Sequence, residues 1–169
     1  MSAPLYTQDY QSPLGSMLLA ATDTHLVGLW FYRQRYFASK VDLKQCIVAS
    51  NDVLKKTQTW LDAYFAGHEI ARPPLALQGS PFGVQVWQML TTVPYGSTIT
   101  YKALAICLGL KPSCARAVGN AVGHNPLAVI VPCHRVVGAS GLGGYAGGLD
   151  RKRALLRHEG AVLRPGVFL

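Results

Sequence analysis

The run Leu127-Ala128-Val129-Ile130-Val131, followed at once by Pro132-Cys133-His134-Arg135-Val136, constrains this chain more than any other stretch. Five successive apolar residues read as a buried strand. A thiol beside an imidazole, where such a strand ends, presents a guarded nucleophile. The thiolate is the reactive form, and a neighbouring imidazole or other cation lowers the pKa that keeps the thiol protonated. Half of the 169 residues are hydrophobic and 14% are charged, enough for a sizeable core and too apolar for disorder. The length allows one domain or two small ones.

The order of elements predicts a mixed α/β (α+β) chain in two parts, 1–79 and 80–169. The first part opens as a β meander. Leu5–Tyr10 and Ser16–Thr22 read as strands around the turn Ser12-Pro13-Leu14-Gly15, and Leu26–Tyr32 reads as a third. Residues 33–50 carry no clear period. Val53, Leu54, Thr57, Trp60, Leu61, Tyr64 and Phe65 recur at helical spacing, with Gly67 as the stop. Arg72-Pro73-Pro74 and Gln78-Gly79-Ser80 mark the boundary.

The second part reads as punctuated helices. Ser80 caps the first, with Pro81 in its first turn. Thr100 caps a second through Cys107, closed by Gly109, and Ser113 caps a third through Val122, closed by Gly123. Two short helices around a Gly-containing turn suggest a helix-turn-helix. Residues 138–148 form a loop holding six glycines, and Leu149–Glu159 reads as a last helix.

Charge separates the two parts. Residues 1–79 hold seven Lys/Arg against six acids, whereas residues 80–169 hold nine against two, Asp150 and Glu159. That asymmetry suggests a polyanionic partner for the second part, although a basic solvated surface accounts for it equally well. The third helix adds detail. Ser113, Cys114, Ala115, Ala117, Gly119 and Ala121 are small, and only Arg116, in mid-helix, and Asn120 reach far. An ordinary helix is about 10–12 Å across, and the minor groove of B-DNA is about 6 Å wide. A helix stripped of bulk can approach that groove, while it lacks the side chains that read a major groove. Small residues also serve close helix packing, and that alternative stays open. In the groove, Arg116 could fill the gap left by an extruded base.

The four cysteines lack CxxC spacing and suit a reduced, cytoplasmic protein. No metal site is expected, because no pair of Cys or His has ligand spacing. No apolar run approaches the ~20 residues of a membrane span, and no signal peptide or membrane partner is expected.

The assembled motifs resemble the O6-alkylguanine-DNA alkyltransferases, the methylated-DNA–protein-cysteine methyltransferases. They are Pro-Cys-His-Arg-Val at 132–136, Arg-Ala-Val-Gly-Asn-Ala at 116–121, Asn-Pro at 125–126, Thr-Tyr at 100–101, Gly-Tyr-Ala-Gly-Gly at 144–148 and His-Glu-Gly at 158–160. Ser-Pro-Leu-Gly at 12–15 and Tyr-Phe-Ala-Gly at 64–67 extend the resemblance, more weakly, to the family's ribonuclease-H-like N-terminal domain. The resemblance implies a C-terminal, mostly helical domain with a winged-helix-like helix-turn-helix. The overall type is the short bacterial one.

The resemblance also implies roles. Cys133 would take an alkyl group from O6 of guanine, and O4-alkylthymine is a further expected substrate. His134 would accept the thiol proton, through a water or directly, with Glu159 supporting the imidazolium. Tyr101 would face guanine N3, and Asn125 would hold the turn before the active cysteine. Val136, Tyr145, Ala146 and Gly147 would line the base pocket. Arg116, Ser113, Ala115, Ala117, Asn120, Ala121, Arg135 and Lys152 would meet DNA, and a place near the pocket is an equally good reading of Lys152. Double-stranded DNA carrying O6-alkylguanine would be the partner, bound through the minor groove with little sequence preference by a monomer. No cofactor is implied, so the thioether would be permanent and each chain would act once. The departures are Ala146 where some members carry Ser, Cys114 where Ala is usual, and no N-terminal zinc ligands.

Overall fold

The structure is a computed structural model that describes residues 2–163 and 169. The chain divides into two compact units, Met1–Gln78 and Gly79–Leu169.

In the first unit, β1 (Tyr6–Ser12), β2 (Gly15–Ala21) and β3 (Leu26–Phe31) form an antiparallel meander. Ser12 pairs with Gly15 across the hairpin end. The Ser12 hydroxyl donates to the Gly15 carbonyl at 2.6 Å and accepts from Leu14 N–H at 3.1 Å, so the turn satisfies its own polar groups. Residues 33–50 are turns, a 3-10 turn at Leu43–Gln45 and the short strand β4 (Ile47–Val48). β4 lies parallel to β1, which completes the order β3-β2-β1-β4. Leu18 and Ala20 join Val27 and Trp30 in one cluster, covered by Tyr32, Phe37 and Val41. Alternation sends Met17, Leu19 and Ala21 to the opposite face. The helix α1 (Asp52–Phe65) packs against β1, β2 and β3. Its cap, Asn51, accepts from Leu54 N–H at 2.9 Å and donates to the Thr22 carbonyl at 3.0 Å, tying the helix start to the chain leaving β2.

The second unit contains α2 (Pro81–Leu90), α3 (Tyr101–Cys107), α4 (Ala115–Gly123) and α5 (Leu149–His158). Ser80 and Thr100 cap α2 and α3 through hydrogen bonds from Gly83 and Ala103 N–H. α3, the turn after it and α4 form the helix-turn-helix, and Trp87 Nε1 on α2 donates to the Ala121 carbonyl on α4 at 2.9 Å. The two-residue strands β5 (Ile99–Thr100) and β6 (Val136–Val137) pair in parallel. Among the described residues no helix is long and apolar enough to cross a membrane.

Four expectations are corrected. Ser113 is not a cap. Pro112 opens a 3-10 turn over Pro112–Cys114, closed by Cys114 N–H on the Lys111 carbonyl, so α4 starts at Ala115 with no side-chain cap. Arg116 therefore stands in the first turn of α4 rather than mid-helix. Gly123 stays inside the helix, and His124 caps it instead, with Nδ1 2.7 Å from the Asn120 carbonyl. Residues 127–131 are buried but are not a strand. Val131 N–H returns to the Leu127 carbonyl, Ile130 N–H to the Ala128 carbonyl, and Val129 holds a φ of 67°. Apolar continuity reports burial and does not specify an extended backbone.

Candidate active site and nucleic-acid interface

Asn125 organises the coil that ends at Cys133. It is buried, its Oδ1 accepts from Leu127 N–H at 2.9 Å, and its Nδ2 donates to the Val131 carbonyl at 2.8 Å. The side chain thus supplies polar partners that a neighbouring strand would otherwise provide. Between these two anchors Val129 takes a left-handed conformation that a β-branched residue ordinarily avoids. The coil delivers Cys133, His134 and Arg135 into one buried 3-10 turn.

Cys133 is 7% exposed. Burial pushes its pKa up, opposed by the Asn125 side chain, the Lys152 charge and nearby backbone N–H groups. The resting group is a thiol. His134 is fully buried, and Glu159 is 6% exposed. Burial pushes the imidazole pKa down against the pull of Glu159, so the ring rests neutral. His134 Nε2 lies 2.5 Å from Glu159 Oε2. A carboxylate can only accept, so Nε2 carries the proton and Nδ1 carries the lone pair. Nδ1 is buried and has no hydrogen-bond partner among the described residues. A neutral base thus sits next in sequence to a protonated nucleophile.

One face of α5 supplies the rest. Lys152, Leu155, Leu156 and the cap residue Glu159 are all buried, at helical spacing. Arg135 Nε donates to Glu159 Oε1 at 2.7 Å, and Gly96 N–H reaches the same oxygen at 3.3 Å. Gly96 has a φ of 80°, and a Cβ there would stand 3.1 Å from the Glu159 carbonyl, so the close approach suits glycine. Lys152 Nζ donates to the carbonyls of Val136 at 2.6 Å and Gly144 at 2.9 Å, and burial lowers its pKa to about 8 against the Cys133 charge.

Aromatic and loop residues complete the surroundings. Tyr101, the first residue of α3, has its pKa raised by burial and then by Cys133. A Cβ at Gly143, where φ is 71°, would lie 2.7 Å from the Tyr101 hydroxyl. The Tyr145 ring meets His134 edge-on with centroids 6.5 Å apart, and its buried hydroxyl has no hydrogen-bond partner among the described residues. Burial and Cys133 raise its pKa well above the ordinary tyrosine value. Val136 is buried, Ala146 is half-buried, and the Gly147 carbonyl accepts from Arg151 Nη1 at 3.1 Å.

On α4 and the turn before it, Ser113, Arg116, Ala117, Asn120 and His124 are exposed, at the spacing of one helix face, and Ala115 is half-buried beside them. Val118, Ala121 and Val122 face inward. Three of the residues expected at DNA are buried in this structure. Ala121 lies on the packed face beneath Trp87. Arg135 spends its guanidinium on Glu159 and on the Val93 carbonyl, 2.6 Å from Nη1. Lys152 is fully buried with Nζ on two carbonyls, which favours the reading near the pocket over a phosphate contact. Among the described residues no cluster of His, Cys, Asp or Glu could hold a metal ion.

With this geometry in place, the comparisons are decisive. Residues 81–161 match the DNA-binding domain of 6-O-methylguanine DNA methyltransferase, and residues 5–73 match its ribonuclease-like domain. A methylated-DNA–protein-cysteine methyltransferase of Mycobacterium bovis is 43% identical over 158 residues, covering 92% of each chain. The chain belongs to the 6-O-methylguanine DNA methyltransferase family. Two solved relatives agree. A crystal structure of a variant of Mycobacterium tuberculosis OGT is 40% identical, covers 95% of this chain and 96% of that one, and superposes with a TM-score of 0.82. Mycobacterium tuberculosis OGT in complex with DNA is also 40% identical, covers 91% and 92%, and gives a TM-score of 0.79.

Membership in the methyltransferase family also separates what sequence reasoning found from what it missed. Val93, Tyr95 and Gly96, in the turn after α2, steady the Arg135–Glu159 pair, a role the sequence does not announce. Their signal is a Pro-Tyr-Gly turn, which fixes a chain direction without naming a partner. Trp87 anchors α4 through the Ala121 carbonyl, a partner that its place in the sequence does not announce. His124 extends the exposed face of α4 by a turn, and its adjacency to Asn125-Pro126 hid it behind that motif.

Proposed function

We propose that the protein repairs duplex DNA by transferring the alkyl group from O6 of guanine, and from O4 of thymine, to Cys133. The observation that carries this reading is a buried thiol next in sequence to a buried imidazole whose Nε2 lies 2.5 Å from the Glu159 carboxylate. His134 Nδ1 takes the Cys133 proton, directly or through a water, as the sulfur attacks the alkyl carbon. A carbon–sulfur bond forms, the carbon–O6 bond breaks, and its electron pair passes to the guanine ring. Tyr101 supplies a proton at ring N3 as that charge develops and recovers one from the imidazolium side, leaving neutral guanine and neutral protein. The imidazolium formed in between is offset by Glu159, which stays ionised.

The target base must leave the duplex to reach a thiol this deeply buried. The narrow face of α4, with Ser113, Ala115, Ala117 and Asn120, suits the minor groove without reading sequence, and Arg116 fills the space the base vacates. The carbonyl of Val136, with Tyr145, Ala146 and Gly147, receives the base. The protein acts as a monomer in the cytoplasm, where its four free cysteines stay reduced. Water does not cleave the thioether, so each chain repairs one lesion. Incubation with a duplex bearing O6-methylguanine should add one methyl group to the intact mass, and Cys133→Ala should add none. Binding without any mass gain would indicate recognition alone and refute the reading.

A further inference from the structure

Building on the reading of Cys133 as the alkyl acceptor, we infer that Arg135 is a positioning residue that keeps Glu159 ionised and turned so that His134 holds its lone pair on Nδ1. The two carboxylate oxygens have separate partners. Oε1 accepts from Arg135 Nε at 2.7 Å and from Gly96 N–H at 3.3 Å, while Oε2 faces His134 Nε2 at 2.5 Å. Arg135 is itself clamped. Its Nη1 donates to the Val93 carbonyl at 2.6 Å, and its guanidinium lies 5.7 Å from the centre of the Tyr95 ring. The Tyr95 hydroxyl in turn donates to the His158 carbonyl at 3.3 Å. The cation is thereby fixed between the turn after α2 and the end of α5.

The consequence lies in the tautomer. A buried carboxyl group without a cation beside it rises toward protonation. A protonated Glu159 would donate to His134 Nε2, and the imidazole would move its own proton to Nδ1. That nitrogen could then no longer accept from the thiol. Arg135 prevents this, although its charge also makes the imidazole slightly less basic. The other titratable groups facing the cluster are Lys152 and His158 on α5, Tyr145 on the glycine loop, Tyr95 after α2, and Cys133. Among them the Lys152 ammonium is committed to the carbonyls of Val136 and Gly144.

The test is the rate of alkyl transfer from free O6-benzylguanine across about pH 5 to 9, in full-length wild type, Arg135→Gln and Arg135→Lys, alongside affinity for an undamaged duplex. In Arg135→Gln the acid limb of the profile should move up by about one pH unit or more. The neutral-pH rate should fall tenfold or more, with partial recovery in Arg135→Lys and unchanged duplex affinity. In a Glu159→Gln background, Arg135→Gln should cost nothing further, because no carboxylate remains to hold. That pair, together with Arg135→Lys, decides the matter if Arg135→Gln alone does not fold. An unmoved acid limb, an additive loss in the Glu159→Gln background, or duplex affinity lost while free-base transfer persists would overturn the inference. Wild-type protein that forms no thioether would sink both this inference and the alkyl-acceptor reading.

Discussion

Replacing Asn125 by Ala removes the side chain on which the coil before Cys133 depends. Leu127 N–H, now bonded at 2.9 Å, and the Val131 carbonyl, now bonded at 2.8 Å, would both lose their partner inside a buried segment. An unmade buried hydrogen bond costs about 1–3 kcal/mol, so the pair costs about 2–6 kcal/mol. At about 2–4 °C per kcal/mol for a chain of this size, the melting midpoint should fall by about 4–24 °C. The same side chain steadies the thiolate form of Cys133. Asn125→Asp would keep an acceptor for Leu127 N–H, lose the donor to Val131 and bring negative charge toward the sulfur. Thermal melting and the rate of thiol alkylation by iodoacetamide against pH separate the two effects. Asn125→Ala should melt low, and Asn125→Asp should in addition shift thiol reactivity to higher pH. An Asn125→Ala protein that melts within about 2 °C of wild type, with unchanged thiol reactivity, would refute the role given to this residue.

Three further outcomes are expected. The Lys152 ammonium titrates near 8 in the folded protein and near 10.4 when unfolded. Over that interval the unfolded chain holds the extra proton, so stability should rise by about 3 kcal/mol between those pH values. Urea unfolding of wild type against Lys152→Met should show this slope in wild type alone; parallel curves would contradict it. Methylation of Cys133 forces a methyl group into a filled interior and should destabilise the fold by about 1–3 kcal/mol, seen as a lowered melting midpoint of the methylated protein; an equal or higher midpoint would reject it. Arg116→Ala should slow repair of duplex tenfold or more, about 1.4 kcal/mol, while leaving reaction with free O6-benzylguanine unchanged; equal losses would remove its role in extrusion.

Legibility in the sequence followed locality. The meander, α1, and the caps Ser80 and Thr100 are encoded by short-range pattern, and the structure forms them within a residue or two. The coil at 127–131 was misread because burial on all sides looks the same in an extended strand and in a set of tight turns. What distinguishes them is Asn125, whose amide replaces sheet partners, and a side chain's bonding is not visible in hydropathy. The pairing of His134 with Glu159 could be anticipated, since a carboxylate at a helix C-terminus is disfavoured by the dipole and needs a partner. The burial of Arg135 and Lys152 is not legible, because a cation in a basic half looks like a phosphate contact. The carbonyls of Val93, Val136 and Gly144 that consume their protons become neighbours only in three dimensions.

The central claim is that one buried sulfur accepts carbon and keeps it. The most direct measurement is methyl transferred per chain, with O6-methylguanine duplex in excess, followed by peptide mapping of all four cysteines. A plateau at one methyl group, located on Cys133 and stable on prolonged incubation, is expected. Continued turnover, or label on Cys46, Cys107 or Cys114, would contradict it.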